Sequence, residues 1–229
     1  VSVWIGEIQW MREHGFDASR NPILKPLDTI RCHDALLNED GTEYEWPAAD
    51  AIIGNPPFLG GKLLRDNLGD ATVQRMFKAF DGRVPREGDL VCYWFAKARE
   101  LIEGGNAIRA GLVSTNSIRG GANRDVLDMI AATGRIFQAW SDEPWIVEGA
   151  SVRVSITCFD GDDADDGLRL DGKAVDQINT DLTATGADLT KAARLRENMG
   201  VAFMGDTKGG AFDVPGDVAR AWLQAPINP

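Results

Sequence analysis

The chain has 229 residues, 44% of them hydrophobic and 26% charged, with a formal net charge of −11. This is a globular composition, long enough for one good core with an appendage, and it contains no apolar run of the ~18 residues that a membrane span needs. The acidic balance excludes a nucleic-acid binder held by charge alone, but it is uneven: eleven Lys/Arg stand against seven Asp/Glu from Lys62 to Arg124, and six Asp against one Arg from Asp160 to Asp171.

Taken in order, Val3, Trp4, Ile8 and Met11 recur at helical spacing and predict a helix over Val1 to Arg12. No charged leader or cleavage site is visible there, and an opening without Met inside an amphipathic pattern predicts a fragment of a longer protein. His14 to Leu27, with Gly15, Pro22 and Pro26, reads as a loop, and Asp28 to Cys32 as a short strand ending at His33-Asp34-Ala35. Cys32, Cys92 and Cys158 are far apart and odd in number, which predicts reduced thiols in a cytoplasmic protein. With only His14 and His33 besides, no metal site is expected. A loop with an Asp40-Gly41 turn leads to a short strand closed by Ile52 and Ile53, after which turn residues follow at once in Gly54-Asn55-Pro56-Pro57-Phe58.

Each proline of that run fixes φ and lacks an N–H, so the turn is stiff. Asn55 precedes a proline and is held extended, with its amide projected outward. Carbonyl acceptors beside a flat ring, at the carboxyl edge where open α/β sheets bind ligands, suit a planar substrate bearing an –NH2 group. The following Gly60-Gly61-Lys62 is no phosphate-binding loop: the position five before Gly61 is Pro56, and Leu63 rather than Ser or Thr follows Lys62. Leu59 to Lys62 is instead expected to be flexible.

Farther on, the pattern predicts helices over Ala71–Phe80, Asp89–Ile102 (with Asp89 as N-cap and Gly104-Gly105 as stop) and Ala122–Thr133. Strands are predicted over Ala107–Val113, Arg135–Trp140 and Ser151–Phe159, with a loop from Ser141 to Gly149. Asp171-Gly172 marks a hairpin within Leu168 to Val175, Leu182 to Phe212 reads as polar loop, and Val218 to Leu223 as a short helix.

Asn55-Pro56-Pro57-Phe58 after a hydrophobic strand resembles the catalytic motif of S-adenosylmethionine-dependent amino-methyltransferases, above all the DNA adenine-N6 class. The order of elements along the chain is similar to the methyltransferase region of single-chain type II restriction–modification proteins. That resemblance implies an α/β, Rossmann-like class I fold with a mixed sheet and a final antiparallel strand, truncated at its amino end. Residues 1–160 would form the C-terminal portion of the catalytic domain, and 161–229 the connector and start of a target-recognition region. The implied cofactor is S-adenosyl-L-methionine. The implied partners are double-stranded DNA and the remaining segments of the same protein, with no membrane.

The resemblance also implies roles for residues. Asn55 and Pro56 would accept from the target amino group, Pro57 would stiffen the turn, and Phe58 would stack on the base. Trp145 matches an aromatic residue that stacks on the other face of a flipped adenine. Asp34 and Ala35 match the positions that bind the cofactor's adenine, and Leu90 and Tyr93 are placed where an early helix residue contacts the cofactor. Local sequence equally allows Asp34 as a strand terminator, Leu90 and Tyr93 as core, and Trp145 as a loop residue. The Gly-rich cofactor turn and the acidic ribose ligand of the family have no counterpart here and are expected upstream of Val1, leaving this chain inactive alone. Asn-Pro-Pro-aromatic also serves methylation of RNA amino groups and protein amide nitrogen, and a non-catalytic DNA-binding fragment is a third reading.

Overall fold

The computed structural model describes residues 2–16, 30–147, 150–161, 167–184, 196 and 215–225. Two compact units divide the chain at Thr185/Gly186. The first is built on a six-stranded mixed sheet in the order β1-β2-β4-β3-β5-β6. Its strands are β1 (Ala49–Gly54), β2 (Ala107–Thr115), β3 (Arg135–Val147), β4 (Ala150–Asp160), β5 (Leu168–Leu170) and β6 (Lys173–Val175). β1 and β2 are parallel, while β4 runs antiparallel to both β2 and β3. β1, β2 and β3 therefore share one direction, and β4 is the antiparallel strand expected of a Rossmann-like mixed sheet. Their carboxyl ends lie on one edge.

The helices of this unit are α1 (Ser2–Glu13), α2 (Leu64–Leu68), α3 (Asp70–Ala79), α4 (Cys92–Glu103) and α5 (Arg124–Thr133). The alternation of β2 puts Ala110, Leu112 and Ser114 inward, against α4. Phe95 of α4 stacks on Phe159 of β4 with ring centroids 5.9 Å apart, and Phe80 meets Tyr93 edge-on at 5.1 Å. Burying rings of this size stabilises the fold by about 1.5–3 kcal/mol each relative to exposure. The second unit contains α6 (Gly216–Gln224), which covers the predicted helix Val218 to Leu223. No described helix is long and apolar enough to cross a membrane.

Several expectations are corrected. Residues 30–32 are not a strand; Ile30 is exposed and nothing in the sheet pairs with the run. Asp34 starts a turn instead, its Oδ1 accepting from the N–H groups of Leu36 and Leu37 at 2.8 and 3.0 Å. The predicted loop over 141–149 is, as far as Val147, a continuation of β3, since the alternating β4 provides a template for it. A register shift between Trp140 and Glu143 accommodates Pro144 opposite Arg153. The sheet also continues beyond residue 160 through β5 and β6, within the first compact unit. Most of the polar segment read as Leu182 to Phe212, including Gly205 to Phe212, and also residues 17–29, lie outside the described residues.

The hairpin at Asp171-Gly172 forms as predicted. Both residues have positive φ, +50° and +76°, the pair that a tight two-residue hairpin turn requires. The Asp171 carboxylate also accepts from Ser141 N–H at 2.7 Å and from the Ser141 hydroxyl at 3.0 Å, which ties the turn to β3. Asp171→Ala is expected to lose about 1–2 kcal/mol of stability in urea unfolding, through those two bonds and the left-handed backbone. Asp171→Asn, which tolerates that backbone and keeps an acceptor, should lose less.

Candidate active site

β1 delivers the Asn-Pro-Pro-Phe run to the carboxyl edge of the sheet. Gly54, the last residue of β1, has no room for a side chain without displacing its neighbour, because a Cβ would sit 3.2 Å from Leu112 Cδ2. Beyond it Pro56 is buried and Phe58 half-buried, while Asn55 and Pro57 are exposed. The turn is thus anchored by one proline and presents the Asn55 amide outward. Asn55, Pro56 and Pro57 border a cleft of about 340 Å³ walled by Trp46, Trp94 and Leu112. Aromatic walls beside an exposed amide side chain fit a flat, amino-bearing heterocycle.

Trp46 connects this cleft to the Asp34-Ala35 segment, its indole N–H donating to the Ala35 carbonyl at 2.7 Å. It also borders a second cleft, of about 360 Å³, lined by Glu43, Glu45, Lys97, Glu100 and Asn106. Glu43, Lys97 and Glu100 there are all paired. Lys97, only 3% exposed, donates to Glu43 Oε1 at 2.7 Å and lies over the Trp46 ring at 5.1 Å. Arg83 bonds Glu43 Oε2 at 2.5 Å and also pairs with Glu100. Burial alone would push the Glu43 carboxyl up, but the hydrogen bonds and charges of Arg83 and Lys97 hold it below the usual glutamate range. We read this second cleft as an ion-pair network bracing the first.

The other predicted residues fall in two places. Leu90 is 6% exposed and Tyr93 fully buried, both within the core. Burial pushes the Tyr93 phenol up to about 12, and its hydroxyl has no hydrogen-bond partner among the described residues. As placed, Tyr93 offers no surface to a ligand. Trp145 lies on the overrun of β3 beyond the carboxyl edge, the edge at which Asn55 follows β1, and is 36% exposed. A hydrogen-bond relay ties that overrun to the loop after β2. Asn116 Nδ2 donates to Asp142 Oδ1 at 2.7 Å, and the Ser155 hydroxyl donates to Asn116 Oδ1 at 2.9 Å. The hydrogen bond from Arg153 holds the Asp142 carboxyl below its ordinary value.

The loop after the motif is not free, contrary to the flexibility expected from its glycines. Leu90 N–H donates to the Leu59 carbonyl at 2.8 Å, and Gly61 N–H to Asp89 Oδ1 at 2.9 Å. Asp89 consequently caps no helix: the residue preceding α4 is Val91, and no side chain caps it. Among the described residues no group of His, Cys, Asp and Glu could hold a metal ion.

The family model for the MmeI DNA-methyltransferase domain matches residues 1–166. The chain belongs to the MmeI DNA-methyltransferase domain family. The Asn-Pro-Pro-Phe turn, the cleft beside it and both tryptophan walls lie within the matched span. A solved structure of the Type IIL restriction–modification enzyme MmeI in complex with DNA aligns with 26% sequence identity and a TM-score of 0.48, over 60% of this chain. The chain covers 20% of the length of that protein. No curated protein matches it.

Trp46 and Trp94, the walls of the cleft, were not distinguishable in the sequence from core aromatics. Trp94 sits in the apolar run of α4, and Trp46 in a loop with no local signal other than the following Pro47.

Proposed function

We propose that this MmeI-family domain transfers a methyl group from S-adenosyl-L-methionine to the N6 amino group of adenine in double-stranded DNA, as part of a cytoplasmic restriction–modification protein. The observation that carries the reading is the Asn55-Pro56-Pro57 turn, with Pro56 buried and Asn55 exposed, which borders a cleft walled by Trp46 and Trp94.

The adenine N6 lone pair is delocalised into the ring, which makes the nitrogen a poor nucleophile. Asn55 Oδ1 and the Pro56 carbonyl accept from its two hydrogens. This favours the nitrogen as it becomes tetrahedral and fixes its direction of attack. The domain thereby acts by positioning and electrostatics, with no strong base needed. The base must leave the duplex, and stacking on Phe58 and Trp145 offsets part of the cost of unstacking. S-adenosylmethionine supplies the electrophilic methyl group. Asp34 and Ala35, on the segment pinned by Trp46, are the proposed contacts to its adenine. Leu90 and Tyr93, being core residues, act by packing α4 rather than by touching the ligand. The segment that follows residue 160, which includes β5 and β6, is proposed as the connector and the start of the target-recognition region.

The test is to incubate the full-length protein with methyl-tritiated S-adenosylmethionine and unmethylated double-stranded DNA, then digest to nucleosides. Label is expected in N6-methyldeoxyadenosine. Label found instead in RNA, in protein glutamine or on cytosine would replace the substrate assignment. The absence of label, together with no heat of cofactor binding by calorimetry, would leave the non-catalytic reading.

A further inference from the structure

Two stretches of the chain that are distant in sequence, at Gly61 and at Ser117 to Asn123, meet at one carboxylate. Asp89 Oδ1 accepts from Gly61 N–H at 2.9 Å. Its Oδ2 accepts from the Ser117 hydroxyl and from Asn123 Nδ2, both at 2.7 Å. Asn123, 8% exposed, returns the contact, its Oδ1 accepting from Asp89 N–H at 2.7 Å. Gly61 follows the Asn-Pro-Pro-Phe turn by three residues, Ser117 lies in the loop after β2, and Asn123 precedes α5. The approach of Gly61 is closed to any side chain, since a Cβ there would lie 2.3 Å from the Glu87 carbonyl oxygen.

Resting on the methyltransferase reading, we propose that Asp89 is a positioning residue: with Asn123 and Ser117 it clamps the loop after the motif and so sets the orientation of Asn55 and Pro56 toward the target amino group. A stiff diproline fixes the turn internally but not relative to the rest of the site. The glycines at 60 and 61 would let the turn swing. A charged acceptor engaging three donors, one of them on the loop itself, removes that freedom. Ser117 adjoins Asn116, which bonds Asp142 on the β3 overrun that carries Trp145. The clamp therefore registers the motif against the element bearing the second proposed stacking ring.

The test uses the full-length protein and the tritium assay above. Asp89→Asn keeps the acceptor for Gly61 but turns an amino group toward Asn123 Nδ2 and Ser117. It is expected to lower kcat by about 100-fold, the scale of an ångström-sized misplacement. KM for S-adenosylmethionine should stay within about twofold, because the clamp acts on the motif side. The exchange D89N/N123D reverses the side-chain hydrogen bond without changing shape, and should recover at least tenfold of the lost kcat. Ser117→Ala, which removes one donor from an exposed side chain, should lower kcat several-fold with an unchanged unfolding midpoint. Parental kcat in D89N overturns the proposal, as does a D89N/N123D variant that folds like the parent but stays as slow as D89N. If D89N does not fold, parental kcat in S117A overturns it. If the unmodified protein labels no DNA, the methyltransferase reading itself falls and the clamp falls with it, an outcome distinct from an active parent with an indifferent Asp89.

Discussion

Asn55→Ala in the full-length protein is expected to reduce DNA methylation by about 10²–10³-fold, the loss typical when one preorganised electrostatic contact to the reacting group is removed. The expected size follows from where the side chain sits. Asn55 is exposed at the end of β1, and Pro56, whose backbone follows it, is buried. Truncation therefore removes the amide without disturbing the anchor, and the unfolding midpoint should be unchanged. Cofactor affinity by calorimetry should also be retained, because the proposed cofactor contacts, Asp34 and Ala35, lie on the separate segment held by Trp46. Asn55→Asp is a sharper probe. It keeps an acceptor of the same shape and should retain more activity than alanine. An alanine variant as active as the parent would eliminate the acceptor mechanism.

The motif was legible because its chemistry is local: a strand, a glycine and two prolines dictate their own geometry. The order of β1, α3, α4, β2 and α5 was legible from periodicity for the same reason, whereas the short α2 was not predicted. What could not be read depends on contacts across the sheet. β3 extends to Val147 through Pro144 because β4 is there to pair with it, which no window centred on the proline reveals. Asp89 carries a convincing N-cap signature, an acidic residue before an apolar helical run. The side chain instead serves Gly61, Ser117 and Asn123, partners up to 34 residues away. Tyr93 and Leu90 illustrate the reverse limit. A matching position places them early in the predicted Asp89–Ile102 helix, but only the packed structure shows that they lie in the core. Part of the local excess of Lys and Arg is taken up inside the fold, since Arg83 and Lys97 are engaged with Glu43 and Arg83 also with Glu100.

Lys97→Met is expected to cost about 3 kcal/mol, toward the low end for removing one partner of a buried ion pair because Arg83 stays on Glu43. That is a large share of the stability of an ordinary domain, and urea unfolding at pH 7 measures it. The loss comes from the partly buried Glu43 carboxylate, left with Arg83 but without Lys97. E43Q/K97M, which removes both charges, should therefore be less destabilised than K97M alone. The pH dependence gives an independent check. In the folded parent the Glu43 carboxyl is held below its ordinary value of 4.5, so on acidification the unfolded chain takes up this proton first. Its contribution is complete above about pH 4.5 and is lost as the pH falls through the lower folded value. The gap between parent and K97M should accordingly narrow between pH 7 and pH 3.5, and a gap that stays constant would mean that Glu43 is not the group involved. The same substitution reaches the proposed active site. Lys97 donates to the Tyr44 carbonyl and lies over the Trp46 ring, and Trp46 both walls the cleft beside Asn55 and holds Ala35. Weaker S-adenosylmethionine binding by K97M, under conditions where the variant is fully folded, would connect the buried ion pair to the cofactor side of the cleft. Unchanged binding would confine Lys97 to stability.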